Sequence, residues 1–113
     1  MGPSQEAKAH ESRLACELDV FSAEENEQHK SSLNEAMAAV RDVREEKDGY
    51  TISFSSKNFL TIAEWISLER RCCHFLSFQI RFLGGDEVFW VALSGPAGTK
   101  DFLKTFFDSP RRS

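Results

Sequence analysis

The chain has 113 residues, 41% of them hydrophobic and 28% charged, a balance that folds as one globular domain and leaves no room for a second. Its 14 Lys and Arg against 18 Asp and Glu give a net charge of -4, which argues against a protein that grips nucleic acid by neutralising phosphates. No apolar run approaches the roughly 20 residues that span a bilayer, the first residues do not read as a signal peptide, and three cysteines cannot form a secreted disulfide framework without a thiol left over; the expectation is a cytoplasmic protein.

Residues 1–13 carry no hydrophobic period and read as a disordered tail, and 109–113 as a second one, leaving a domain over 14–108. Leu14, Cys16, Leu18 and Val20 alternate as a short half-buried strand would, with Cys16 inward. Ser22 and Glu25 form a capping box at the start of a helix whose stripe runs through Leu33, Met37, Val40 and Arg44, with Gly49 in the left-handed cap position. Tyr50, Ile52 and Phe54 alternate as a strand.

A second helix runs from about Lys57 or Asn58 to Cys73, with Ser55, Ser56 or Asn58 available as its cap. Leu76, Phe78, Ile80 and Phe82 then alternate with polar residues, Gly84-Gly85-Asp86 turns, and Val88 to Leu93 returns as the partner strand of a hairpin. Gly95-Pro96-Ala97-Gly98 breaks the chain, Thr99 is placed to cap, and Phe102, Leu103, Phe106 and Phe107 line one face of a last short helix. An exposed remainder of that aromatic cluster would support a homodimer. The order is β-α-β-α-β-β-α, an α+β fold with helices on one face of a mostly antiparallel sheet.

Chemistry concentrates at the end of the second helix. Steps of about 100° per residue put Phe59, Ile62, Ile66, Glu69 and Cys73 on one stripe, with Cys72 on the neighbouring sector beside Trp65. Glu69 is therefore a buried carboxylate within one turn of two thiols. It needs a partner such as Arg70, Arg71, Arg81, a cation or a proton, because an unpaired buried charge is costly. Thiolates select soft ions. If the helix ends at Cys73 and the first strand lies beside it, Cys16, Cys72, Cys73 and His74 could ligate Zn(II), Hg(II) or As(III), with Glu69 and Arg70 orienting the ligands. Two other readings stay open: a thiol redox or stress-response protein, and a non-catalytic interaction domain with structural cysteines. His10 and His29 read as solvated surface residues.

The string ERRCCHFLSFQIRF, followed by VFWVALSGPAGTKDFL, resembles a family of small bacterial proteins with the pattern E-R-x-C-C-x-F-x-x-F and then L-x-L-x-G-x-x-G-x-K-x-F. Cys16-Glu17-Leu18 and Asp48 to Phe54 are similar to it too, so the resemblance spans about Ala15 to Phe107. It implies an association with heavy-metal-responsive regulators of the mercury-regulator type, and no enzymatic activity is firmly attached to the family. The positions that match are Cys16, Glu69, Arg70, Cys72, Cys73, Phe75 and Phe78; His74 departs from it, standing where the family often has Pro. The expected partners are a metal ion or a small thiol-reactive ligand, with no organic cofactor, nucleic acid or membrane.

Overall fold

The computed structural model describes residues 17–85 and 87–107. Both predicted tails, His10, Cys16, Asp86 and the side chains of Phe106 and Phe107 lie outside the described residues. Within them the protein is α+β: helices α1 (Ala23–Ala38), α2 (Phe59–Cys72) and α3 (Thr99–Phe107) accompany strands β1 (Val40–Glu46), β2 (Gly49–Ser55), β3 (Ser77–Phe82) and β4 (Val88–Ser94). The strands form one antiparallel sheet in the order β1-β2-β4-β3.

Several expectations are corrected. Leu18–Val20 is a turn of 3-10 helix rather than a strand. Glu17 N–H donates to the Cys72 carbonyl at 2.9 Å and Val20 N–H turns back to Glu17 O at 3.2 Å, so this backbone is spent on a turn and on the end of α2. The first helix stops at Ala38, eight or nine residues before the sequence pattern suggested, and Val40–Glu46 pairs with β2. A bulge between Val40 and Asp42 explains the misreading. Val40 opposes Phe54 and Val43 opposes Ile52, so both lie on the face of these buried residues despite being three apart. The extra residue turned a period of two into a helical spacing.

Gly49 follows the two-residue Lys47-Asp48 turn and opens β2; its φ is not positive, so it is no left-handed cap. What requires glycine is proximity. A Cβ there would overlap the Leu93 carbonyl oxygen and stand 2.8 Å from the carbonyl carbon.

The start of α1 is as the sequence suggested. Ser22 Oγ accepts from Glu25 N–H at 3.2 Å while Glu25 Oε1 accepts from Ser22 N–H at 3.0 Å. At the approach to α2 Ser55 supplies the cap, accepting from Lys57 N–H, and Asn58 makes no side-chain cap bond. Thr99 is the first residue of α3 rather than its cap, and its buried hydroxyl has no partner among the described residues.

All three helices contribute to one core on one face of the sheet. Ile52 and Phe54 of β2 and Phe89, Val91 and Leu93 of β4 meet Met37, Ile62, Trp65, Leu68 and Leu103 there. Burial of this apolar area, at about 25 cal/mol per Å², is the main force holding the layers together. The opposite face is free of helices among the described residues. Arg44 lies 4.4 Å over the Trp90 ring, in a shallow concavity of about 630 Å³ that Thr51, Arg81 and Ala92 also line. At the β3 edge the inner-face residues are only partly covered: Phe78 is half-buried, and Ile80 and Phe82 are exposed.

Candidate metal centre

α2 carries Trp65, Glu69 and Cys72 at spacings of four and three residues, so about two turns of helix present an indole, a carboxylate and a thiol to the same space. Helix α1 crosses this face and adds His29. Glu69 is fully buried, as are Trp65, Cys72 and Cys73, and His29 is nearly so at 7% exposure. A carboxylate this deep must be met by donors. Oε2 accepts from the Trp65 indole N–H at 2.9 Å and from His29 Nε2 at 3.0 Å. The Cys72 thiol donates to Oε1 at 3.6 Å, and Cys73 Sγ lies 3.0 Å from the same oxygen. Cys72 Sγ is also 3.9 Å from His29 Nε2 and 3.7 Å from Cys73 Sγ.

The two cysteines differ. Cys72 is a free thiol, whereas Cys73 is disulfide-bonded. Burial pushes the Cys72 thiol up to about 12, and the charge of Glu69 adds to the rise. Cys72 is accordingly neutral and a poor nucleophile near pH 7 unless a cation takes the place of its proton.

The helix ends where the chemistry does. Cys73 leaves the helical conformation, its N–H bonding Glu69 O at 2.7 Å, and Leu76 N–H turns back onto Cys73 O at 3.1 Å. Standing three and four residues after Glu69, the adjacent side chains at 72 and 73 flank it and reach the same carboxylate oxygen. Arg71 straps the segment before α1 to the same terminus. Its guanidinium donates to Glu25 at 2.9 and 3.3 Å and to Val20 O at 3.4 Å, and lies 4.9 Å over the Phe21 ring. These hydrogen bonds hold the Glu25 carboxyl down at about 2.

Of the residues singled out in the sequence, Glu69, Cys72 and Cys73 are brought together. His74 is not. Its ring is exposed and bonds the Arg71 carbonyl at 2.7 Å, closing the end of α2. Arg70 is exposed too and lines a surface depression with Ile66, Leu76 and Phe78. Neither Arg70 nor Arg71 neutralises Glu69: Arg71 is engaged with Glu25, and His29 stands at the carboxylate instead.

His29 is the residue that sequence reading missed. The signal was available, since the apolar stripe of Leu33, Ala36 and Met37 extended back by one turn lands on position 29. Its imidazole packs 5.3 Å from the Phe21 ring, which shields it from solvent. His29, Glu69 and Cys72 offer one ligand atom each within 4.8 Å of one another. Compared with known protein families, with curated proteins and with solved structures, the chain matches none.

Proposed function

We propose that this protein binds a borderline-soft divalent ion of the zinc class, with His29, Glu69 and Cys72 as protein ligands and Cys73 as a fourth when its sulfur is reduced. The observation that supports this reading is the spacing of the donor atoms. Around a tetrahedral ion with bonds of about 2.0–2.3 Å, neighbouring ligand atoms stand about 3.3–3.8 Å apart. The pairs here lie at 3.0 Å for His29–Glu69 Oε2, 3.6 Å for Cys72–Glu69 Oε1, 3.9 Å for Cys72–His29 and 3.7 Å for Cys72–Cys73. With one donor atom from each of His29, Glu69 and Cys72 the three lie within 4.8 Å of one another, every group already buried, so drawing them onto one ion takes a contraction of the cluster rather than a rearrangement of the fold.

The mixture of imidazole, carboxylate and thiol also favours zinc over arsenite, whose pyramidal site needs three sulfurs. Binding would displace the Cys72 proton, so it should release acid and strengthen with pH. Titration with Zn(II) against a chromophoric chelator tests the proposal. The expected result is one ion per chain, with Cys72→Ser and His29→Gln each weakening affinity at least 10-fold. Zinc binding that is absent, or unchanged in both variants, would sink it.

A second reading, thiol redox chemistry, is favoured by one observation of its own, the disulfide at Cys73 beside a free thiol. Disulfides in the cytoplasm are usually transient or sensory. Cytoplasmic residence belongs to the same proposal, as does a role in heavy-metal response, which rests on the sequence pattern around Glu69-Arg70-Arg71-Cys72-Cys73.

A further inference from the structure

We infer that the protein forms a two-fold dimer through β3, whose outer edge pairs antiparallel with β3 of a second copy and joins two four-stranded sheets into one of eight strands. The inference stands independently of the ion site.

The two outer strands of the sheet, β1 and β3, are built differently. β1 carries two marks of an edge protected from pairing. Five of its seven residues, Arg41, Asp42, Arg44, Glu45 and Glu46, are charged, and a bulge interrupts it between Val40 and Asp42. β3 has neither mark. Its register against β4 runs unbroken from Ser77 to Phe82, Arg81 is its one charge, and no strand covers its other edge among the described residues. Ile80, Phe82 and Leu83 stand 43%, 56% and 49% exposed along it.

A second copy fits this edge because the strand complements itself. Directly opposed residues of an antiparallel pair share a face. A two-fold axis through Ile80 therefore sets Ile80 against Ile80 and Phe78 against Phe82 on the helix side, and Gln79 against Arg81 and Ser77 against Leu83 on the other. Apolar side chains meet under the helices, and each guanidinium meets an amide. An axis through Arg81 would instead oppose like charges, which repel.

The relief of the surface follows the same axis. Ile66, Arg70, Leu76, Phe78 and Ile80 line a depression of about 520 Å³. Four residues beyond Phe78, the Phe82 ring rests on Phe59 and Phe89 at 5.2 and 5.4 Å and is otherwise exposed. Pairing at Ile80 brings Phe82 of each copy to the depression of the other, the reciprocal contact of a closed two-fold. Half-exposed Ile80, Phe82 and Leu83 offer on the order of 300 Å² per copy, at roughly 200 Å² for a large apolar side chain. Two copies, with the strand backbones and the flanking Arg70, Gln79 and Arg81 added, reach about the 1,000 Å² that a specific interface needs.

Sedimentation equilibrium of the full chain, with reductant present so that no intermolecular disulfide contributes, tests the proposal. The expected mass is twice 12.8 kDa at about 100 μM, falling to one chain on dilution. Ile80→Lys places two like charges on the axis and should weaken association at least 10-fold. Gln79→Glu gives each Arg81 an acidic neighbour and should tighten it about 3-fold at low salt, while Gln79→Arg should weaken it by about the same factor. Gln79 is exposed on the helix-free face, so these two variants decide the matter even if Ile80→Lys fails to fold. A single chain at that concentration overturns the proposal, as does a dimer indifferent to every variant. Dissociation by Ile80→Lys with both Gln79 variants indifferent overturns the register, and growth beyond two chains overturns the closed two-fold.

Discussion

Removing either partner of the His29–Glu69 contact should destabilise the protein, and removing both should cost less than the sum. Oε2 of Glu69 accepts two bonds, from Trp65 at 2.9 Å and His29 at 3.0 Å, at full burial. In Glu69→Gln the amide oxygen can occupy the Oε2 position and keep both donors, while the NH₂ faces the sulfurs. What is lost is the charge assistance, about 1 kcal/mol per bond and about 2 kcal/mol in total. His29→Leu fills similar space but leaves the carboxylate short of a donor, a change that costs about 3–5 kcal/mol for a broken buried pair. In the double variant the neutral amide no longer needs His29, so the loss should stay near 4 kcal/mol against a sum near 6, a coupling of about 2 kcal/mol. Urea unfolding of the four proteins at one oxidation state, with equal m-values, measures it. Coupling smaller than about 0.5 kcal/mol would refute the reasoning, because His29 and Glu69 would then be acting independently.

The depressed Glu25 carboxyl makes a pH prediction. A folded-state value near 2 against an ordinary 4.5 stabilises the fold above pH 4.5, and that contribution disappears as pH falls toward 2. Glu25→Gln should flatten the fall of Tm over that interval and have little effect at pH 7 beyond the loss of a half-exposed pair. Cys72, buried and raised to about 12, should be alkylated at pH 8 at least 100-fold more slowly in the native protein than in urea, followed by mass spectrometry; rapid native labelling would mean that the site opens freely. Gly49→Ala should lower stability by about 2–3 kcal/mol, since the obstruction is the Leu93 backbone and not a movable side chain. A melting temperature within about 1 °C of wild type would show that β2 and β4 can part there.

What the sequence made legible depended on whether the deciding contacts were local. The capping box, the α2 stripe with Glu69 on it and the β3–β4 hairpin are written in spacings of two to four residues, and the structure has them. β1 was hidden because its bulge imitates helical spacing at Val40 and Val43, and only pairing with β2 reveals the strand. At Glu69 the stripe indicated burial, but the choice among partners did not follow from it. Three arginines were plausible by proximity in sequence, and the partner came from 40 residues away on another helix. His29 looked solvated because its neighbours Glu27, Gln28 and Lys30 are polar; the helix face that it shares with Ser32, Ala36 and Met37 is what decides.

The two tryptophans sit on opposite sides of the sheet, and this divides the molecule optically. Trp65 is wholly enclosed with its indole N–H on the Glu69 carboxylate, while Trp90 is half-buried beneath the Arg44 guanidinium on the helix-free face. Any change in charge, proton or ion at Glu69 reaches the indole of Trp65 through a single hydrogen bond and shifts its emission; Trp90, on the far face, serves as an internal reference. A Trp90→Phe variant therefore leaves one fluorophore wired to the buried carboxylate, and the protein carries its own probe of that centre with no label attached.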